Sequence, residues 1–195
     1  MKISLPNLLN SFDGFNALSS LADAAIGLTG GTLDVSLAAL SVVDPNMAAP
    51  LGAVLNTIRD RSNTISIVDV PSLPLAVLEK NGFLRCFGYP DTAPLSGTAV
   101  PYTRFSAKEI KLFYDFLDLH LPSKGLPEMT SDFTLQFLQI LGEVFINAET
   151  HADSSLGVFV CGQFYPHQQR LVLSIADSGV TIPERVNQRF NINWP

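Results

Sequence analysis

Charge is scarce in this sequence: Asp, Glu, Lys and Arg make up 15% of the 195 residues, and no two basic residues are adjacent. A sequence-independent nucleic-acid binder is thereby excluded, because such binding runs on clustered Lys and Arg meeting phosphates. The 12 basic and 18 acidic residues leave a net charge of −6, which bears on solubility and little else. Cysteine is nearly absent. Cys86 and Cys161 have no C-x-x-C spacing, so neither a thiolate metal site nor a dithiol redox motif has support. Two buried thiols in a reducing compartment are expected, with a bridge between them as the alternative. Long apolar runs are also missing. The most apolar window, Val35 to Leu55, is interrupted by Asp44, Pro45, Asn46 and Pro50. It falls short of the ~20 uninterrupted residues of a spanning helix. The opening MKISLPNLLNSF holds Pro6 and Asn7 inside what would be the apolar region of a leader. No small-residue cleavage site follows, and a cytoplasmic location without membrane contact is expected.

Apolar residues are plentiful, at 47%, with 13 Phe against one Trp. That composition builds a real core and excludes global disorder. The length suits one large domain or two small ones, at ~100–200 residues per domain.

Two textures divide the chain. Gly88 to Thr103 carries Pro90, Pro94 and Pro101 with no helical or strand period, so residues 89–104 read as a linker between parts 1–88 and 105–195. Before it, helical spacing runs from Phe12 to Leu28 and stops at Thr29-Gly30-Gly31. Thr32 to Leu37 is β-prone, and Leu40 to Val43 continues it or forms a short strand of its own. Asp44-Pro45-Asn46 reads as a turn capping a helix from Met47 to about Arg61. Thr64 to Val68 is a strand, Leu73 to Lys80 a short helix, and FLRCF (Phe83 to Phe87) a final strand. After the linker, Ser106 and Glu109 have capping-box spacing ahead of a helix to His120. Pro122 to Pro127 breaks the chain, and a long helix follows over about Asp132 to His151. Gly157 to Tyr165 and Arg170 to Ala176 form a hairpin, the second strand setting Leu171, Leu173 and Ile175 against Val172, Ser174 and Ala176.

The long helix holds the most chemistry. At ~100° per residue, Phe137, Leu141, Val144 and Ala148 form its core stripe. Glu143, Asn147 and His151 follow at spacings of four along the edge of that face. A carboxylate, an amide oxygen and an imidazole so placed could orient a water and hold a divalent cation. Satisfied polar residues on a helix flank explain the same pattern, so a second element is needed.

That element is IADSGVTIPERV, Ile175 to Val186, directly after the last strand. With GEVFINAETHAD, Gly142 to Asp153, it resembles the GHKL ATPases, which include histidine kinases, gyrase and the anti-sigma serine kinases. The likeness covers Phe105 to Phe190. It implies that Glu143 acts on the attacking nucleophile, that Asn147 coordinates the magnesium on the ATP phosphates, and that Ala148 packs behind them. His151 is similar to the anti-sigma kinase version of that box and joins the cofactor-binding set. Asp177 would accept from the adenine amino group, and Gly179 would let the base approach. Thr181 stands where the motif's second glycine is expected, and a β-branched residue disfavours positive φ. No glycine follows Gly179, so the lid and the glycine-rich phosphate box are expected to be absent. VDPNMAAPLGAVL, TISIVDV and LEKNGFLRCFG resemble STAS domains, with Asp44-Pro45 in place of the phosphorylatable Asp-Ser.

The expected fold is α/β: a STAS-like domain, then a partial GHKL sandwich with helices on one face of a mixed sheet. The expected function is an intracellular signalling regulator binding ATP and Mg2+, of the anti-sigma serine kinase kind. Regulatory proteins, or a second copy of the chain, are its expected partners. Phosphorylation on histidine is disfavoured, because His120 lies at a helix end beside Pro122. The alternative is a non-catalytic protein–protein interaction module with a degenerate nucleotide site. A third reading, an α/β enzyme using Cys86 or Cys161 with a His, has no spacing behind it.

Overall fold

The computed structural model describes residues 1–90, 97–106, 108–121, 129–152, 155–180, 184, 187 and 189–191, with the backbone alone at 151 and 152. Much of the expected linker, the Pro122–Pro127 break, Asp153 and Thr181 to Pro183 lie outside these residues, as does the side chain of His151.

The described chain is mixed α/β, with five α-helices and two three-stranded sheets. β1 (Lys2–Ser4), β2 (Thr32–Ser36) and β3 (Thr64–Val68) form a parallel sheet in that order, with Lys2 opposite Asp34 and Thr32 opposite Thr64. Leu33, Val35, Ile65 and Ile67 alternate into the core, the period of two that made β2 and β3 legible. β1 is three residues long, too short to show a period. Three helices follow these strands: α1 (Phe12–Ala24), α2 (Ala48–Asp60) and α3 (Ser72–Lys80). Ser11 caps α1, its hydroxyl oxygen accepting from the Gly14 N–H. The helix ends short of Leu28, whose carbonyl accepts instead from buried Asn63 at 2.8 Å.

Two expected strands are absent. Of Leu40 to Val43, Val43 alone makes an isolated bridge, to Leu8. FLRCF holds a 3-10 turn, Leu84–Phe87, closed by Gly88 at φ 88°. The turn drives Phe83, Leu84 and Phe87 together into the core, where a strand would send alternate residues outward. Pro45–Met47 is a further 3-10 turn ahead of α2, but Asp44 does not cap it. The Asp44 carboxylate accepts from the Asn10 N–H at 2.7 Å instead.

The second sheet is antiparallel throughout, where a mixed one was expected. Its order is β4 (Ala99–Phe105), β5 (Val158–Tyr165), β6 (Arg170–Ala176). All of β4 but its last residue, Phe105, lies inside the stretch read as a linker. Pro101 masked it, since a central strand excludes proline. β4 is an edge strand, with an irregular register between Val100 and Thr103 that accommodates the ring. α4 (Ile110–His120) and α5 (Ser131–Ala152) pack on one face of this sheet. Ahead of α4 the Glu109 carboxylate accepts from the Ser106 N–H at 2.6 Å, one half of the expected capping box.

α2 packs on the other face and also under the parallel sheet. Ala48, Ala49, Leu51, Gly52, Ala53, Leu55 and Ile58 are all buried, so the helix is enclosed on several sides. One core therefore runs from Leu33 and Ile67 through α2 to Tyr102, Phe159 and Cys161. Polar ties cross the same boundary: Asn46 Nδ2 donates to Ser174 Oγ at 2.9 Å, and Tyr102 N–H to the Asn81 carbonyl at 2.7 Å. No described helix is long and apolar enough to cross a membrane.

Both cysteines are free, and only Cys161 is buried. Its thiol donates to the Pro45 and Val100 carbonyls at 3.3 and 3.5 Å, and burial pushes its pKa well up. Cys86 is exposed, although partial desolvation raises its pKa too. A thiol reagent at mildly alkaline pH is expected to modify Cys86 and to spare Cys161 until the protein unfolds. Equal labelling rates in the native state would contradict this packing. A second prediction concerns Gly52, whose missing side chain is replaced by the ring of Tyr102. Gly52→Ala gains about 1 kcal/mol of helix propensity. It then overpacks a ring held between Phe83 and Phe159, at a cost of about 1–3 kcal/mol. Urea unfolding should show net destabilisation, and a more stable variant would contradict the contact.

Candidate functional site

The buried stripe of α5 is not the one its period suggests. Phe137, Leu138, Leu141, Phe145 and Ala148 face the sheet, while Val144 is 45% and Ile140 59% exposed. At ~100° per residue the stripe is turned by roughly 40° from the expected axis. Phe145 sets the new axis. Its ring stacks on Phe113 with centroids 4.3 Å apart and meets Phe105 edge-on at 5.6 Å. Burying this large ring outweighs burying Val144. The turn carries Glu143 and Asn147 out of the edge of the buried face and into solvent. Glu149, nearer the sheet, accepts from the Lys108 N–H and ties α5 to the start of α4.

Asp177 is exposed. Its Oδ1 accepts from the Gly179 N–H at 3.0 Å, an Asx turn that fixes the side chain. Its Oδ2 has no protein donor among the described residues.

The hairpin register decides what this turn adjoins. Phe159, the second residue of β5, pairs with Ala176, the last of β6. The C-terminal end of α5, its connection into β5 and the Asp177 turn therefore share one end of the antiparallel sheet. A cavity of about 320 Å³ lies there, bordered by Ser155 and Leu156 of the connection, Ser178 and Gly179 of the turn, and Thr57 and Asp60 of α2. A second cavity, of about 440 Å³, lies between the Asp177–Gly179 turn and the apolar faces of α1 and α2, with Arg61 on its lining. Glu143 and Asn147 border neither cavity. The two motifs thus meet at one end of the sheet without closing on a common pocket among the described residues.

The donor set can be weighed against magnesium and ATP. Among the described residues no three His, Cys, Asp or Glu side chains gather into a metal cage. Magnesium bound to a nucleotide needs less, since it takes one or two protein oxygens and fills its octahedron with phosphate and water. The exposed amide of Asn147 fits that lesser requirement. Asp177, ordered by its turn and with one oxygen open, fits a base carrying an amino donor. Comparisons with protein-family models, with curated proteins and with solved structures each return no match.

Sequence reasoning missed Arg61 and the apolar wall of the larger cavity. Arg61 follows the last residue of α2 and reads there as a cation at a helix C-terminus. Phe15, Leu18 and Val54 read as ordinary helix residues. Only tertiary packing brings them to Asp177.

The turned stripe has a measurable consequence. Phe145→Ala should cost about 3–5 kcal/mol of stability. Asn147→Ala, on the solvent side, should stay within about 0.5 kcal/mol. Comparable losses at the two positions in urea unfolding would contradict the orientation of α5.

Proposed function

We propose that the chain is a signalling regulator whose C-terminal half binds ATP with magnesium, with anti-sigma-type serine kinases as its functional counterpart. One observation carries this reading: the Asp177 turn, with an open carboxylate oxygen, lies at the sheet end where α5 delivers its E-x-x-x-N-A helix. The solvent exposure of Glu143 and Asn147 supports it, since a soluble nucleotide has to reach them. In this reading Asp177 accepts from the adenine amino group, and Gly179 keeps the turn narrow beside the base. Asn147 supplies a neutral oxygen toward a phosphate-bound magnesium. Glu143, one helical turn before Asn147, is the candidate general base, and His151, one turn after it, lies at the same helix end. Magnesium, once bound with the nucleotide, neutralises phosphate charge. A regulatory protein, or a second copy of the chain, is the proposed partner, and the cytoplasm its proposed location.

A second reading, a non-catalytic interaction module, is favoured by a different observation. The α4 and α5 helices expose Leu112, Leu119, Phe133, Leu135 and Ile140, each more than half accessible. Single exposed apolar residues are ordinary, but five on one two-helix layer suit a protein contact.

Calorimetry with a non-hydrolysable ATP analogue and magnesium separates the two. The first reading expects saturable binding, with Asn147→Ala abolishing its magnesium dependence. Asp177→Asn should weaken adenine ligands by about tenfold, as expected for loss of a charged hydrogen bond. It should leave nucleotides without the amino group unchanged. Absence of heat with every nucleotide would leave the interaction module as the function.

A further inference from the structure

The larger cavity has a chemistry of its own. Its 440 Å³ lies within the range of small-molecule sites, about 300–1,000 Å³. Phe15 and Leu18 of α1 and Ala53, Val54 and Ile58 of α2 give it an almost wholly hydrocarbon wall. Thr57 adds little polarity, because its hydroxyl donates to the Ala53 carbonyl at 2.9 Å. Apart from the 177–179 turn, the one charged group on the lining among the described residues is Arg61.

The state of Arg61 points to a ligand. Its Nη1 donates to the Ile26 carbonyl at 2.5 Å, while its Nε is buried with no hydrogen-bond partner among the described residues. A buried N–H without an acceptor is costly, and such groups in folded proteins are uncommon. The Ile26 carbonyl occupies the Nη1 side of the guanidinium and leaves the Nε–Nη2 edge. That edge is the fork that matches the two oxygens of a carboxylate. Asp177 on the same lining sets a limit on charge: a singly charged head is repelled less than a phosphate monoester.

We propose that this cavity binds a medium-chain monocarboxylate, its hydrocarbon chain along the α1–α2 wall and its carboxylate on the Nε–Nη2 edge of Arg61. Because Nε is shielded from water, the head group meets it after a small rotation of the guanidinium. The site shares only the Asp177–Gly179 turn with the nucleotide reading. It uses residues of α1 and α2 on one side of the antiparallel sheet, whereas Glu143 and Asn147 belong to α5 on the other. Asp177 touches both sites with opposite sign, attracting an adenine amino group and repelling a carboxylate.

The test is calorimetry of the full chain with decanoate, acetate and decylamine, each below its micellar concentration. Decanoate is expected to bind saturably at one site, acetate not to bind, and decylamine to bind at least about tenfold more weakly, since Arg61 selects the anion. Arg61→Gln should weaken decanoate by about tenfold or more, and Asp177→Asn should tighten it. Ala22→Phe, which places a ring in the cavity, should abolish binding with the circular dichroism unchanged. If either cavity variant misfolds, the other decides. Equal affinity for decanoate and decylamine, indifference to the folded variants, or no saturable binding would overturn the proposal. Failure here leaves Asp177→Asn free to weaken adenine ligands, so the two readings fail separately.

Discussion

The enclosure of α2 between two sheets is the constraint on which the rest of the structure depends. A helix enclosed in this way must be narrow as well as apolar, and α2 meets that need with Ala48, Ala49, Gly52 and Ala53. Gly52 lets the Tyr102 ring lie against the helix backbone, and Tyr102 in turn touches Phe83 and Phe159. The parallel sheet, the turn at Phe83 and the antiparallel sheet are thereby locked into one core. Such packing tolerates little change in volume, because protein interiors are filled to the density of organic crystals.

This arrangement also explains where ligand-accessible space remains. Near its N-terminal end α2 is filled against β5 and Tyr102. Toward its C-terminal end, Val54, Thr57, Ile58 and Arg61 instead border the space beside α1 and the Asp177 turn. Two cavities open on either side of that turn, one toward the α5–β5 connection and one toward α1. Residues of this turn line both cavities. Any coupling between ligands in the two cavities would be reciprocal, each changing the other's affinity by the same factor. A chain whose two halves share a core has a physical route for such coupling.

Much of the fold was legible residue by residue. Thr64–Val68 and Arg170–Ala176 stand where their alternation placed them, and α2, α3 and α5 lie within a few residues of their periodic stretches. The facing of β6 was legible too, with Leu171, Leu173 and Ile175 on the α5 side and Ser174 toward Asn46. The misses have identifiable causes. Pro101 disguised β4, because a proline is excluded from central strands but not from an irregular edge. FLRCF carries strand-prone residues, but the core accepted them as a turn that buries Phe83, Leu84 and Phe87 together. In α5 the period was right and the phase was wrong. A helix with apolar residues over a wide arc leaves the choice of buried face to its neighbours, and Phe113 and Phe105 chose Phe145.

The candidate site divides along the same line. The sequence by itself determined the chemical inventory: an E-x-x-x-N-A helix, a hairpin, and an Asp-Ser-Gly turn after an apolar strand. Local forces suffice for these, since helix period, strand alternation and the Asx turn need no distant partner. Tertiary structure alone decided which of these groups meet. It turned Glu143 and Asn147 to solvent, set Asp177 at the shared end of the sheet, and brought Arg61 to the same cavity from over a hundred residues away. The physical reason is that burial is non-local: a side chain's environment is fixed by which surfaces the whole chain can pack together, and one residue's neighbours in sequence do not contain that information.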